Sequence, residues 1–413
     1  MEGKKGLNRR DFLKTAALAT AATAVPFIRT GEAQGAPLKI GLIGCGGRGR
    51  DAAKNNALDA DKNVTITAIH DIFEDRAKRF QRELADSKGV KVPDDRVFWD
   101  LDGYKKVLQT DVDYVILATP PGFRPEHFEA AVNAKKHIFT EKPVATDVVG
   151  IRRFIAAAKK SEQMKLSVTA GTQRRHQGNY IETIKKIHDG AIGDVLAVRA
   201  YWCGGPVINI PGPRPAGMSD LEYQVKNWYS HCWVSGDNIV EQHVHNLDVI
   251  NWVMGTHPVS VFASGGRAWK PKEEYLGDIW DHFSCDYVYP NGVHMLSMSR
   301  HWNGSDGDVS EYAVGTKRGS NCADMGGGGR NPYVQEHMDL IASIRGTGPY
   351  YNEAVQVAES VMTAIMGRES AYTGKKLRWD EFMEVDLDLL PKNMSWDAKI
   401  PVRPIPVPGQ KRW

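Results

Sequence analysis

Within the segment GDNIVEQHVHNLDVINW, residues 236–252, one carboxylate and two imidazoles fall in five positions: Glu241, His243 and His245. Three uses are open to such a group: metal ligation, proton transfer, or a polar pair on a half-buried helix. Read as a helix, the segment sets Val240, Val244, Leu247 and Met254 on one arc, with Ile250 widening it. Glu241 and His245, four apart, then share a face, while His243 points about 200° away from Glu241. One helix cannot aim all three at one ion, and a zinc site would need ligands from elsewhere in a chain that shows no partner motif; no metal is expected. An acid beside an imidazole remains suited to moving a proton.

A second group lies near the start. LKIGLIGCGGRGR, Leu38 to Arg50, runs an apolar strand into Gly44, Gly46 and Gly49 in the GxGxxG spacing, with Gly47 and Arg48 inside the loop. Such glycines permit a tight turn and close backbone approach to a pyrophosphate, whose charge faces the amides opening the next helix. NVTITAIHD then gives a second strand ending at Asp71, twenty-two residues beyond Gly49. A carboxylate there can bind ribose hydroxyls and repel a 2'-phosphate, which favours NAD over NADP as the cofactor.

These residues need elements to hold them. Helical patterns over Asp75–Lys88, Glu126–Ala134 and Thr146–Ser161 alternate with the strands DYVILATPP, HIFTEKP and KLSVTA, which predicts an α/β Rossmann domain with a parallel, doubly wound sheet. Ligands of such sheets sit beyond the carboxyl ends of the strands, where Gly44, Thr119, Pro120, Lys142 and Gln173 fall. After a helix over Asn179–Asp189, the strands VLAVRAYW, SVFASGG, DHFSCDYVY, VHMLSMSRHW and EYAVGT follow without intervening helices and predict a second, α+β domain with a mostly antiparallel sheet. The expected divisions are a signal and linker at 1–36, a nucleotide-binding domain at 37–172, a substrate and oligomerisation domain at 173–385, and an extended proline-rich tail at 386–413. A helix spans Glu353–Thr373. The tract DMGGGGRNPY, Asp324 to Tyr333, is a loop that could cover the site or lie plainly on the surface.

The formal net charge of +3 over 413 residues argues for neither nucleic acid nor an anionic membrane as partner. A small ligand suits it. All the tryptophans but Trp99 lie after residue 200, and indole faces such as those of Trp202 and Trp228 can carry sugar rings as well as pack a core. The five cysteines are scattered, without a zinc or disulfide framework. Ahead of a short Ala/Thr-rich run, Arg9 and Arg10 in NRRDFLK resemble a twin-arginine export signal, with Asn8 where Ser or Thr is more usual. The run is too short and weakly apolar to span a membrane. Export by that route implies a periplasmic protein that folds, and takes up any cofactor, beforehand.

Taken together, GLIGCGGRGR, Asp71, ILATPP, HIFTEKPVA, the segment around His245 and EYAVGTKRGS resemble the glucose-fructose oxidoreductase, inositol dehydrogenase and MocA family over nearly all of the chain after the signal. The tripeptide Glu141-Lys142-Pro143 is the most specific mark. The resemblance implies an open second sheet, a homo-oligomer (dimer or tetramer), a tail that could lie along a neighbouring subunit, and cofactor contacts from Glu141 and Lys142. It matches His245 to the family's catalytic histidine and Glu241 to the acid four residues before it, where Asp is usual; His243 stands where Gly is frequent. Arg174, Arg175, His243 and Asp237 are the expected substrate contacts, and Tyr104, Arg124, His127, Gln173, His176 and His231 could line the cleft.

The activity so implied is NAD-dependent oxidation of a secondary hydroxyl in a sugar, glycoside or cyclic polyol, with a tightly held, internally recycled cofactor. Either His245 removes the hydroxyl proton, supported by Glu241, while Lys142 stabilises the alkoxide, or Lys142 is the base. The main alternative is an NAD-dependent, redox-neutral glycosidase working by oxidation, elimination, hydration and reduction. A third is a sugar-binding protein that keeps its nucleotide for structure alone.

Overall fold

Apolar strands alternating with helices build the first half. In the computed structural model, which describes residues 36–206, 212–268 and 274–413, β1 (Leu38–Ile43), β2 (Val64–His70), β3 (Val97–Phe98), β4 (Tyr114–Leu117), β5 (His137–Thr140) and β6 (Val168–Ala170) pair in parallel, in the order β3-β2-β1-β4-β5-β6. Helices cover both faces, so the central strands carry continuous buried runs such as Val115, Ile116 and Leu117 rather than an alternating pattern. The strand order reverses between β1 and β4, and a crevice opens there at the carboxyl ends. The helix Val148–Gln163 shows how one side of the sheet is closed: Asp147 caps its start by accepting the Gly150 amide at 2.7 Å, and Phe154 stacks on Phe128 at 4.0 Å between centroids. The export signal read at residues 1–36 lies, but for Ala36, outside the described residues.

The second sheet is β7 (Val195–Gly204), β8 (Ser260–Gly266), β9 (His282–Val288), β10 (His294–His301), β11 (Asp308–Gly315), β12 (Gly319–Ser320) and β13 (Leu377–Arg378), in the order β12-β11-β7-β10-β9-β8-β13. It is open and antiparallel except where β7 and β10 run parallel. One face packs on the helices Val244–Met254 and Ala354–Thr373. The other is uncovered: the row Phe262, Asp286, Leu296, Arg199, Tyr312 crosses four strand pairings, and Phe262, Leu296 and Val314 are 59%, 47% and 40% exposed.

Two segments sit where linear order does not put them. The helix Pro332–Arg345 packs on the first sheet, with Leu340 and Ile341 in the core of Ile40, Phe80 and Phe139, and His337 stacked on Phe139 at 4.1 Å. The tail, which could have reached a neighbour, lies on its own chain. Proline denies it helical hydrogen bonds, and the chain itself supplies partners instead: the Ile400 amide donates to Asp220 at 2.8 Å, the Trp280 indole donates to the Pro406 carbonyl at 3.3 Å, and Arg412 donates to buried Glu369 at 2.7 Å.

Candidate active site

Cavity construction begins at the end of β1. Gly44 has φ +104°, and its amide donates to the His70 carbonyl at 2.7 Å, turning the chain across the sheet edge. A Cβ at Gly49 would stand 1.9 Å from the Gly44 carbonyl oxygen, so this glycine lets the following helix press on the loop. A Cβ at Gly46 or Gly47 would meet nothing within 4 Å. Those two positions face open space, the cradle a pyrophosphate needs. Asp71, buried at the end of β2, accepts the Cys45 amide at 2.8 Å and the Phe73 amide at 3.0 Å. Burial pushes its carboxyl pKa up, against the pull of those amides and of Arg76. The fit to a dinucleotide is therefore direct, with Gly46, Gly47 and the start of the helix toward the phosphates and Asp71 toward a ribose.

The cavity, of about 630 Å³, continues past Thr119 and Pro120 to Glu141, Lys142, Glu241, Gln242 and His245. Arg124 ties its floor together. Fully buried, it donates to the carbonyls of Thr119, Glu141 and Pro143, and burial lowers its pKa to about 10. Thr119 is in turn 3.1 Å from His127. Lys142 reaches across from the first half: its Nζ donates to the Glu241 carbonyl oxygen at 2.5 Å and to Oε1 at 3.1 Å.

The segment read as one helix is broken. Asn238–Glu241 makes a single turn capped by Asp237, Gln242 and His243 intervene, and a new helix runs Val244–Met254. Glu241 therefore pairs with Lys142, and no hydrogen bond joins it to His245 among the described residues. Glu241 Oε2 and His245 Nδ1 are buried without protein partners among the described residues, and both residues line the cavity. Burial raises the Glu241 pKa against the pull of Lys142, and burial, then Lys142, Arg174 and Arg48, drive His245 well below its ordinary value. The imidazole is neutral near pH 7 and able to accept a proton. Trp202 stacks on it at 5.9 Å.

Four expected substrate contacts stand elsewhere. His243 turns toward the second sheet, bonds Ser297 Oγ at 2.7 Å, is fully buried and stands off the cavity wall. Asp237, also fully buried, accepts the Asn238 amide at 2.5 Å and the Trp280 amide at 2.7 Å, joining the short helix to the sheet. Arg174 is paired to Glu311 at 2.5 Å, and Arg175 to Asp248 at 2.8 and 3.0 Å over the Trp252 ring. Their charges are satisfied away from the cavity wall. Of the other groups, Arg124 and His127 line the cavity; Tyr104 bonds Glu126, His176 sits between Asp339 and Glu353, and His231 and Gln173 are outside the wall. Sequence reasoning missed Arg76, Phe123, Gln242 and Tyr333 as wall residues. Arg76 was traceable from its place five residues after Asp71; Tyr333 ends the glycine-rich tract read as a loop that could cover the site, and it is the residue of that tract that reaches the wall.

Comparison with known proteins bears on this arrangement. Residues 38–170 match the family model described as oxidoreductase family, NAD-binding Rossmann fold, and residues 180–320 match that of the GFO/IDH/MocA C-terminal domain. Residues 6–26 match the twin-arginine translocation signal, which points to export by that pathway to the periplasm. The chain is 27% identical over 230 residues to an inositol 2-dehydrogenase of Acidothermus cellulolyticus (56% of this chain, 57% of the relative) and 26% identical over 228 residues to a myo-inositol 2-dehydrogenase of Thermotoga maritima (55% and 58%). These matches span less than two thirds of either relative. A scyllo-inositol dehydrogenase from Lactobacillus casei, solved with bound NAD(H) and scyllo-inositol, superposes with a TM-score of 0.64 at 21% identity, covering 83% of this chain and 99% of that one. That likeness is one of fold.

Proposed function

We propose that this chain, which belongs to the GFO/IDH/MocA oxidoreductase family, oxidises a secondary hydroxyl of a sugar, glycoside or cyclic polyol with NAD. The observation that carries the reading is one continuous cavity with a phosphate cradle and Asp71 at one end and Lys142, Glu241 and His245 at the other. NAD, when bound, supplies the electron acceptor for the alcohol carbon. Everything else falls to side chains. His245, neutral and on the cavity wall, takes the hydroxyl proton; Lys142 donates to the oxygen as it becomes an alkoxide; Glu241, bonded to Lys142 through its carbonyl and carboxyl oxygens, fixes where that Nζ stands. The polyol acted on by the inositol dehydrogenase relatives is the first substrate class to try.

Export in the folded state places the protein where free nucleotide is not expected, so NAD is held tightly and regenerated in place. The chain is a homo-oligomer, a dimer or tetramer; the uncovered sheet face supports this, since it exposes Phe262, Leu296 and Val314 beside Asp286 and Arg199, a mixed apolar and polar surface of the kind a partner subunit covers. The test is to denature the purified mature protein, identify the nucleotide released, and follow nicotinamide absorbance in native protein as inositols, sugars and glycosides are added. Retained NAD that is reduced by one of these supports the reading. Release of an aglycone with no net oxidation, or no absorbance change with any of them, overturns it.

A further inference from the structure

Tyr333 and Glu336 belong to neither the glycine loop nor the proton-transfer end, yet both meet Arg48. The helix that carries them is sharply started: Asn331 caps it by accepting the Tyr333 amide at 3.1 Å, and Pro332 takes the first position, where a missing N–H costs nothing. Three residues apart, Tyr333 and Glu336 share one face. Arg48, inside the glycine loop, presents its Cζ 4.7 Å from the Tyr333 ring centroid and donates from Nη2 to Glu336 Oε1 at 3.2 Å. Its other donors go to Glu141 Oε1 at 2.5 Å and Asp51 Oδ2 at 3.0 Å. The loop is thus tied to a helix 288 residues farther along the chain, itself anchored in the first core by Leu340 and Ile341.

Glu336 is an expensive residue to keep there. Its side chain is fully buried, Oε2 has no partner among the described residues, and Glu141 stands on the same guanidinium. A buried carboxyl so poorly satisfied is weak support for stability, so its place beside the cradle calls for another account. Tyr333, 37% exposed, stands on the cavity wall with Gly46, Gly47 and Arg48. A nucleotide lying in the cradle would have Tyr333 beside it as well as the glycine loop.

We propose that Tyr333 and Glu336 are positioning residues that clamp Arg48, hold the glycine loop against the helix Pro332–Arg345, and so set the residence time of NAD. This rests on the reading that the cavity takes NAD. The ring supplies a face for the guanidinium and the carboxyl fixes its plane; a cation held this way contributes enough to change a dissociation rate about tenfold.

The experiment is displacement of fluorescent NADH from the full-length mature protein by excess NAD in stopped flow, with association rates measured separately. Tyr333→Ala and Glu336→Ala each release NADH about tenfold faster with association unchanged, while Tyr333→Phe, which keeps the ring, behaves as wild type. Release rates for both alanine variants within twofold of wild type overturn the clamp and leave the cofactor reading standing. Wild-type protein that carries no nucleotide and still binds no NADH overturns both. Tyr333 is partly exposed, so Tyr333→Ala decides the matter even if Glu336→Ala fails to fold.

Discussion

Replacing Lys142 by methionine keeps most of the side-chain volume and removes the N–H donors and the charge. In the structure Nζ stands 2.5 Å from the Glu241 carbonyl oxygen and 3.1 Å from Oε1, with the two side chains 10% and 9% exposed. Two effects follow. Losing a donor aimed at a developing oxyanion costs about 10²- to 10³-fold in rate, or about 3–4 kcal/mol of barrier. Glu241, already raised by burial, also loses the Lys142 attraction that pulls it down, so its pKa rises further. The stability cost is about 1–3 kcal/mol where Glu241 takes up a proton and about 3–5 kcal/mol where it stays a stranded buried charge. The cradle and Asp71 are untouched, so nucleotide affinity changes less than about tenfold, below one pKa unit's worth of energy. The assay is single-turnover nicotinamide reduction with the best polyol or sugar, beside NADH titration and thermal melts. A rate within threefold of wild type, with nucleotide bound and the fold intact, would refute the role given to Lys142.

His245→Asn should lower the same rate by about 10²- to 10⁴-fold with NADH affinity kept; because burial and then Lys142 hold His245 well below 6.5, the wild-type rate should show no protonation limb between pH 6 and 7, and such a limb assigned to His245 would contradict the neutral-base reading. Gly46→Val should weaken NADH binding at unchanged melting temperature, since its Cβ enters open cradle, whereas Gly49→Ala should lower both, its Cβ meeting the Gly44 carbonyl at 1.9 Å. Asp278, raised to about 6 by burial and then by Asp237, binds a proton in the folded state that the unfolded chain has lost above its ordinary 3.8; its own contribution to stability should therefore fall as pH rises from about 4 to 6, and urea melts should show Asp278→Asn gaining about 3 kcal/mol on wild type above that window and nothing below it. Phe262→Asp with Leu296→Arg should shift sedimentation to a smaller species without loss of secondary structure; an unchanged species would remove the outer sheet face as the association surface.

What could be read from the sequence was what repeats locally. The strand-glycine-helix passage at Leu38–Arg50, the acid at the end of β2 and the alternation through β6 all follow from patterns a few residues long, and they led to Gly46, Asp71, Thr119 and Lys142 on the cavity wall. The second sheet was legible as strands but not as an order, because pairing β7 with β10 joins segments about a hundred residues apart. The helix break at Gln242 was hidden by an apolar arc that stayed regular across it; the His243 bond to Ser297, a tertiary contact, sets the direction instead. Arg174 and Arg175 looked free because their partners Glu311 and Asp248 lie far along the chain. Tyr333 and Glu336 reach Arg48 for a reason no window around residue 48 contains.

The helix Pro332–Arg345 also bears on when the protein is finished. It supplies Leu340 and Ile341 to the core under β1, and Tyr333 to the wall beside the glycine loop. A ribosome that has made the first six strands has therefore not made the nucleotide cleft; about 175 further residues must emerge before it closes. Contacts so distant in sequence form slowly. On the proposed reading that NAD is taken up before export, its loading becomes a late step in the cytoplasm, and nucleotide supply there would govern how much of the exported population leaves equipped to work.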